Sequence, residues 1–370
     1  MKILVTHVPA GSGHEKAAEA VADALRQLQP DAETTLMNGL EGMSSAYQWA
    51  FTQGYLDLIH RAPALWGVVY HLLDHRNLAW GAYKLHRLSN ASHGKVLEEI
   101  LTRRQPDVFI ATHFFPSEVA SYLKQKGRLK AKLITVITDY MPHSVWISPG
   151  TDLYAVGMEL TKEELIRRGV PAEKVRVTGI PIHPKFARRQ DRRALAVRLG
   201  LDPGQFTLLV CSGGFGTGPV ERVIHLLKQV AEPMQVLAVT GKNTQLYHRL
   251  EKLKGSFPHA LKVYGFVDNM DELMEASDLF VTKPGGLSCT EAMAKDLPMV
   301  LAAAIPGQEQ RNGEIVERFG AAVTADPIER IPEIIRKLRA DPAHLEQMGR
   351  IGTAAGMPDA AAAVAKLAFE

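Results

Sequence analysis

Twice along its length this chain runs from a short apolar segment into a glycine-rich turn and on into a helical pattern, and that repeated order constrains its fold more than any other feature. Short apolar runs alternating with amphipathic stretches read as βαβ units around parallel sheets. In the first half, residues 2–6 are a buried strand. The loop 9–13 follows, then a helix with Ala17, Ala18, Val21, Ala22 and Leu25 on one face. Residues 33–37, 107–112, 133–138, 153–156 and 175–178 supply further strands. The second half restarts at 206–211, turns through 212–218 into Pro219, which suits a first helical position, and adds strands at 236–240, 262–264, 279–282 and 299–302. The expected fold class is α/β with two Rossmann-like domains. The segment Gly179-Ile180-Pro181-Ile182-His183-Pro184 is the best linker, which gives domains 1–185 and 186–370. The tail from Pro332 is helical and alanine-rich near its end, and the first domain is one surface it could pack against.

Bulk properties narrow the setting. A length of 370 residues with 46% hydrophobic content is enough for two cores. A net charge of +3 gives no argument for nucleic acid. Cys211 and Cys289 are the only cysteines and lie far apart, which offers no disulfide framework and no zinc spacing and fits a reducing compartment. They look like small buried residues rather than reactive thiols. The opening MKILVTHVPAGSGH has too short an apolar stretch for a signal peptide. No apolar run approaches the roughly 20 residues of a spanning helix, so a cytoplasmic protein is expected, with any membrane association peripheral.

The first glycine loop, Ala10-Gly11-Ser12-Gly13-His14, sits between strand and helix. Glycines allow close backbone approach, and the helix N-terminus behind them favours anionic groups. A plain tight turn would look the same. The loop lacks the full dinucleotide fingerprint, and no acidic residue is clearly placed for an adenosine ribose. His14 opens the helix, where the dipole disfavours its protonated form. A neutral imidazole is what a general base needs, and a capping or packing histidine is the alternative. The second loop, 212–218, has four glycines in seven positions, more than a turn requires, and no Lys-Ser or Lys-Thr pair follows to make a P-loop.

The third feature is the strongest. Gly265-Phe266-Val267 leads to a short helix, then a strand enters Thr282-Lys283-Pro284-Gly285-Gly286-Leu287-Ser288-Cys289-Thr290-Glu291, with a helix expected to start near Ser288. Ser288, Thr290 and the N-terminal N–H groups could face an anion together. Glu291 could take a ribose diol, or cap its own helix. After another strand, the stretch 305–312 brings the amides and carboxylate of Gln308, Glu309, Gln310 and Asn312, which suit sugar hydroxyls or an ordinary solvated loop.

Taken in order, GSGH with Ala17 and Ala18, the TD…PH..W segment at 138–146, GIPIHPKF, the Ser-Gly-Gly loop, GFVDNM and TKPGGLSCTEA resemble the monogalactosyldiacylglycerol synthase and processive diacylglycerol glucosyltransferase family, which is related to the enzyme that adds N-acetylglucosamine to lipid I. The resemblance runs from Lys2 to about Gly320. It implies a GT-B fold, two Rossmann-like domains facing a central cleft, and inverting transfer from UDP-glucose or UDP-galactose to a diacylglycerol-type lipid. By that likeness the uracil meets backbone at Phe266 and Val267, and the ribose meets Glu291. The diphosphate meets Gly214, Gly286 and Ser288, with Gly13, Gly213, Phe215 and Gly285 in the same UDP-sugar site. Gln308, Glu309 and Asn312 read the sugar.

His14 and Asp139 then lie across the cleft near the acceptor oxygen as base and partner, in either order. His143 and Trp146 are on the acceptor side, although Trp146 could equally close the core. Lys283 and the helix N-termini can offset charge growing on UDP. No cofactor beyond the UDP-sugar co-substrate and no essential divalent metal are therefore expected. No Asp-X-Asp pair stands out to hold one, with Asp268 and Asp271 left open.

Residues 46–104 are unusual for a connection between strands. They carry Tyr47, Trp49, Phe51, Tyr55, Leu58, Trp66, Val69, Tyr70, Leu72, Leu73, Trp80, Tyr83 and Leu88, and from Arg76 to Lys132 eleven Lys or Arg stand against four Asp or Glu. Aromatic and basic residues together suit an anionic membrane surface, and helices with solvated basic faces covering the sheet would give a similar pattern. No nucleic-acid module accompanies them. The expected protein is thus peripheral on the inner face of the cell membrane. Other readings keep the fold but change the chemistry: a polyprenyl-linked or soluble acceptor, a UDP-sugar epimerase or hydrolase, or a sensor that binds without turnover.

Overall fold

The computed structural model describes residues 1–54, 58, 61–74, 94–211, 213–214 and 218–370. They divide into two compact units. The first comprises Met1–His183, Ile305–Arg311 and Pro358–Glu370, and the second Pro184–Ala304 and Asn312–Met357. The division after His183 lies inside the proline-rich segment. Ile305–Arg311 and the C-terminal tail, which the sequence boundary leaves in the second domain, group with the first unit instead.

The first unit has a parallel sheet in the order β2-β1-β3-β4-β5-β6. Its strands are β1 (Lys2–His7), β2 (Glu33–Asn38), β3 (Val108–Ala111), β4 (Lys132–Val136), β5 (Leu153–Val156) and β6 (Val175–Val177). Side chains alternate along each strand, so Ile3, Val5 and Ile110 enter one core while Leu4, Phe109 and Leu133 enter the other. Both faces are covered, and this is why the strands read as nearly continuous apolar runs. Helix Ser12–Leu28 packs through Val21, Ala24 and Leu25, and the C-terminal helix Ala360–Leu367 adds Ala361, Val364 and Ala365 to the same core. Lys132 Nζ donates to Leu367 O at 2.7 Å and ties that helix down.

The second unit repeats the plan in the order β12-β11-β10-β7-β8-β9, again with all pairs parallel. Its strands are β7 (Thr207–Cys211), β8 (Gln235–Val239), β9 (Ala260–Tyr264), β10 (Leu279–Thr282), β11 (Met299–Ala302) and β12 (Ala322–Ala325). Strand β12 is not among those legible in the sequence. In each sheet the strand order reverses beside the first strand, between β1 and β3 and between β7 and β10. Ligands of such sheets bind outside the carboxyl ends of the strands at these switch points.

The connection from β2 to β3 contains helix Ser45–Trp49, a π-helical turn Ala50–Gly54 and helices Pro63–Asp74 and Lys95–Arg104. Tyr55, Trp80, Tyr83, Leu88 and the start of the basic run at Arg76 lie outside the described residues, as do the side chains of Phe51, Val69 and Leu73. Two cations of the described basic run are paired with carboxylates: Lys124 meets Asp152 at 2.6 Å and Arg128 meets Glu98 at 3.2 Å. Among the described residues no helix is long and apolar enough to cross a membrane.

Candidate active site

In the first unit the switch point is occupied by His14. Its helix opens after Gly11, whose φ of 100° suits glycine and which brings no side-chain cap, and Gly13 lies in the first turn. His14 Nδ1 lies 2.8 Å from the carbonyl oxygen of Thr112, just beyond β3. A carbonyl only accepts, so Nδ1 carries the proton and Nε2 keeps the lone pair. Thr138 Oγ1 is 3.1 Å from the same Nδ1, and Thr112 Oγ1 donates to His14 O at 2.8 Å. Burial lowers the His14 pKa, while the nearby Asp139 charge pulls the other way. Buried His113 meets His14 edge-on with ring centroids 4.8 Å apart, and burial and its histidine neighbours push its pKa well down. No motif or spacing in the sequence marks His113.

Asp139 is buried beyond β4. Gln308 Nε2 donates to both of its oxygens, each at 2.7 Å. Gln308 belongs to the returning segment Ile305–Arg311, where Glu309 accepts from Ile305 N at 2.9 Å. Gly307 has φ 92°, and a Cβ there would fall 2.5 Å from the Tyr70 ring, so only glycine fits. Arg311 stacks over Tyr70 at 5.2 Å and pairs with Asp74 at 2.6 Å. Asp74 also holds Arg168 at 2.5 Å and the Ser144 N–H at 3.0 Å. Burial alone would raise the Asp74 pKa, but Arg168 and Arg311 hold it well below the carboxylate range. This hub was not visible in the sequence.

The two residues expected on the acceptor side have structural partners. His143 donates from Nε2 to Tyr70 O at 2.9 Å and accepts from Val145 N at Nδ1 at 3.1 Å, so both nitrogens serve the backbone. Trp146 is buried among Ile137, Tyr154 and Val156 and closes the core, with its ring 6.1 Å from that of His14.

In the second unit the loops at the carboxyl edge carry the remaining expected residues. After β7, Gly213 has φ 71°, and Gly214 O accepts from Lys242 N at 3.0 Å. A Cβ at Gly241 would stand 2.3 Å from Gly214 O, so this loop needs a glycine that no sequence motif marks. Ser212, Phe215, Gly216 and Thr217 lie outside the described residues. After β9, Phe266 is half exposed beneath Lys242 Nζ at 5.7 Å, and Val267 is partly buried.

After β10, helix Gly286–Ala294 starts two residues earlier than expected, behind Gly285, which has no capping side chain. Ser288 is therefore its third residue and Glu291 its sixth, too far along for a capping glutamate. Thr290 Oγ1 donates back to Gly286 O at 2.8 Å rather than facing the loop. Thr282 Oγ1 is buried without a partner among the described residues, next to half-buried Lys283. Asn312, grouped in the sequence with Gln308 and Glu309, is buried in this unit instead, on helix Gln308–Arg318. A Cβ on neighbouring Gly313 would stand 3.2 Å from Pro284.

The profile of monogalactosyldiacylglycerol synthase matches residues 14–182, and that of the glycosyltransferase family 28 C-terminal domain matches residues 208–364. A processive diacylglycerol beta-glucosyltransferase of Bacillus cytotoxicus is 30% identical over 376 residues, covering 100% of this chain and 93% of that protein. The chain belongs to this family. The Bacillus licheniformis member is 34% identical over 257 residues, covering 69% of this chain and 66% of that protein, just under two thirds of its length.

Solved structures agree on the fold. MurG of Acinetobacter baumannii superposes with a TM-score of 0.67 at 14% identity, covering 100% of this chain and 99% of that one. A UDP-GlcNAc 2-epimerase of Neisseria meningitidis bound to UDP-GlcNAc gives 0.65 at 14% identity, covering 100% of both. The fold is of the GT-B type. Proteins with such different names share it, so the architecture alone does not choose the reaction.

Proposed function

We propose that this family member is an inverting hexosyltransferase that moves glucose or galactose from a UDP-sugar to the hydroxyl of diacylglycerol, or of a glycosyl-diacylglycerol, at a membrane surface. One observation carries the reading. A neutral His14, its Nδ1 committed to Thr112, stands at the switch point of the unit that matches the monogalactosyldiacylglycerol synthase profile. The names of the relatives favour glucose and a lipid acceptor over a polyprenyl-linked or soluble acceptor and over epimerisation.

In this reading His14 Nε2 takes the acceptor proton as the acceptor oxygen bonds to the anomeric carbon. The bond from that carbon to the diphosphate oxygen breaks, and attack opposite the leaving group inverts the centre. Asp139 steadies the imidazolium that forms. On the donor side Glu291 holds the ribose, backbone at Phe266 and Val267 holds the uracil, and the loops at Gly213, Gly214, Gly285, Gly286 and Ser288 hold the diphosphate. Glu309 and Asn312 serve the sugar. Lys283 and the N-terminus of helix Gly286–Ala294 offset the charge that grows on UDP, so a divalent ion is dispensable. Turnover abolished by EDTA and restored by magnesium would overturn that part.

Helix Pro63–Asp74 supports the lipid side. Leu65, Val68 and Leu72 are 56%, 57% and 50% exposed and stand three and four residues apart. At 100° per residue they fall within an arc of about 60°, one apolar stripe suited to shallow insertion among headgroups. We place the enzyme peripherally on the cytoplasmic face of the membrane.

The test is incubation with anionic liposomes containing diacylglycerol, with UDP-glucose, UDP-galactose and UDP-N-acetylglucosamine supplied separately, followed by mass spectrometry of the lipids. A hexosyl-diacylglycerol peak with UDP-glucose is expected. UDP release with no glycolipid for any donor would remove this acceptor.

A further inference from the structure

Gln308 comes from far along the chain, yet its amide nitrogen reaches both oxygens of Asp139 at 2.7 Å. We propose that Gln308 is a positioning residue for the proton-transfer pair, holding the Asp139 carboxylate in one orientation beside His14. This rests on the reading of His14 and Asp139 as that pair.

Three observations carry it. First, a carboxylate facing an amide selects the nitrogen, so Gln308 donates to both oxygens and holds the carboxylate in one orientation. Second, Gln308 is anchored on both sides. Gly307 is pressed on the Tyr70 ring where no side chain fits, and Arg311 is fixed by Asp74 at 2.6 Å. Third, the anchors close a circuit. Asp74 accepts from Ser144 N at 3.0 Å, and Ser144 follows Asp139 on the same loop. Asp139 is thereby gripped through its carboxylate and through its own loop, while adjacent Thr138 reaches His14 at 3.1 Å. A residue that only read the sugar would not need its nitrogen committed to a buried carboxylate.

Gln308→Glu gives a signature that lost packing cannot imitate. Two facing carboxyl groups share one proton, and their upper apparent pKa rises. Below it the introduced carboxyl donates as the amide did. Above it the two carboxylates repel. The other groups near Asp139 are His14 on its helix, His143 on its own loop, Tyr70 and Asp74 on helix Pro63–Asp74, and Glu309 and Arg311 beside Gln308. They are common to wild type and variant, so the activity ratio isolates the new pair.

The experiment measures kcat and donor KM against pH for wild type, Gln308→Glu and Gln308→Met, with hexosyl-diacylglycerol as readout. The expected result is a Gln308→Glu to wild-type kcat ratio that falls as pH rises. Gln308→Met should lose about tenfold to a hundredfold in kcat, the scale of one hydrogen bond to a charged group, at nearly unchanged donor KM. A raised donor KM with unchanged kcat and a parallel pH profile would make Gln308 a sugar contact and overturn the inference. If Gln308→Glu fails to fold, the split between kcat and KM in Gln308→Met decides. Asp139→Asn separates the two failures. Full turnover in that variant would remove the role of Asp139 and this inference with it. An inactive Asp139→Asn beside indifferent Gln308 variants would remove only the inference.

Discussion

Nδ1 of His14 stands 2.8 Å from the backbone carbonyl of Thr112, and this contact fixes which ring nitrogen is left to act. The carbonyl oxygen can only accept, so the basic lone pair belongs to Nε2. Replacing His14 by Ala is expected to lower kcat by about two to four powers of ten, the range of a lost general base, with UDP affinity nearly intact. Steady-state kinetics beside calorimetric UDP titration would check this. Unchanged turnover would take His14 out of the role.

The histidines around this point also set the acid limit of the fold. Burial lowers the pKa values of His7, His14, His113 and His143 below the ordinary 6.5. Between that value and their folded ones the unfolded chain binds more protons, so stability falls as pH drops through this window. The urea midpoint is expected to be lower at about pH 5.5 than at about pH 7.5. Equal midpoints would mean that these rings protonate as readily in the folded chain as in the unfolded one. Asp74 and Glu164, held low against burial by their arginine partners, add their loss only in the more acid carboxylate range.

Glu291 is the sixth residue of its helix, a half-buried carboxylate too far along to cap the helix start, and the proposed reading gives it the ribose. Glu291→Ala is expected to weaken UDP binding about tenfold to a hundredfold, the loss of hydrogen bonds to a charged group. Unaltered affinity in a calorimetric titration would undo the ribose assignment.

Most of the architecture could be read from sequence because parallel strands buried on both faces leave short, nearly continuous apolar runs. Among the described residues, eleven of the twelve strands announce themselves this way. Ala322–Ala325 does not, because AVTA is short, rich in small residues and pressed between Gly320 and Pro327. The glycine loops and His14 could be read because their chemistry is local. The Asp139–Gln308 contact could not, because it joins positions 169 apart in sequence. Nor could the hub at Asp74, whose partners Ser144, Arg168 and Arg311 share no spacing rule with it. The need for Gly241 was equally hidden, since the carbonyl it must clear belongs to another loop.

The exposed stripe of Leu65, Val68 and Leu72 makes the membrane part of the account testable by itself. Changing all three to Ser is expected to lower cosedimentation with anionic liposomes at least tenfold, since each buried aliphatic side chain contributes about 1.5 kcal/mol or more. Unchanged cosedimentation would assign lipid contact elsewhere.

The most direct test of the central claim is stoichiometric. With UDP-glucose as the only donor and diacylglycerol in anionic liposomes as the only acceptor, UDP released and glucose recovered in the lipid fraction are measured in the same reaction. The account predicts equal amounts of both, and neither above background when diacylglycerol is left out. UDP accumulating without lipid-bound glucose, or no UDP release from a protein that still binds UDP-glucose, would contradict it.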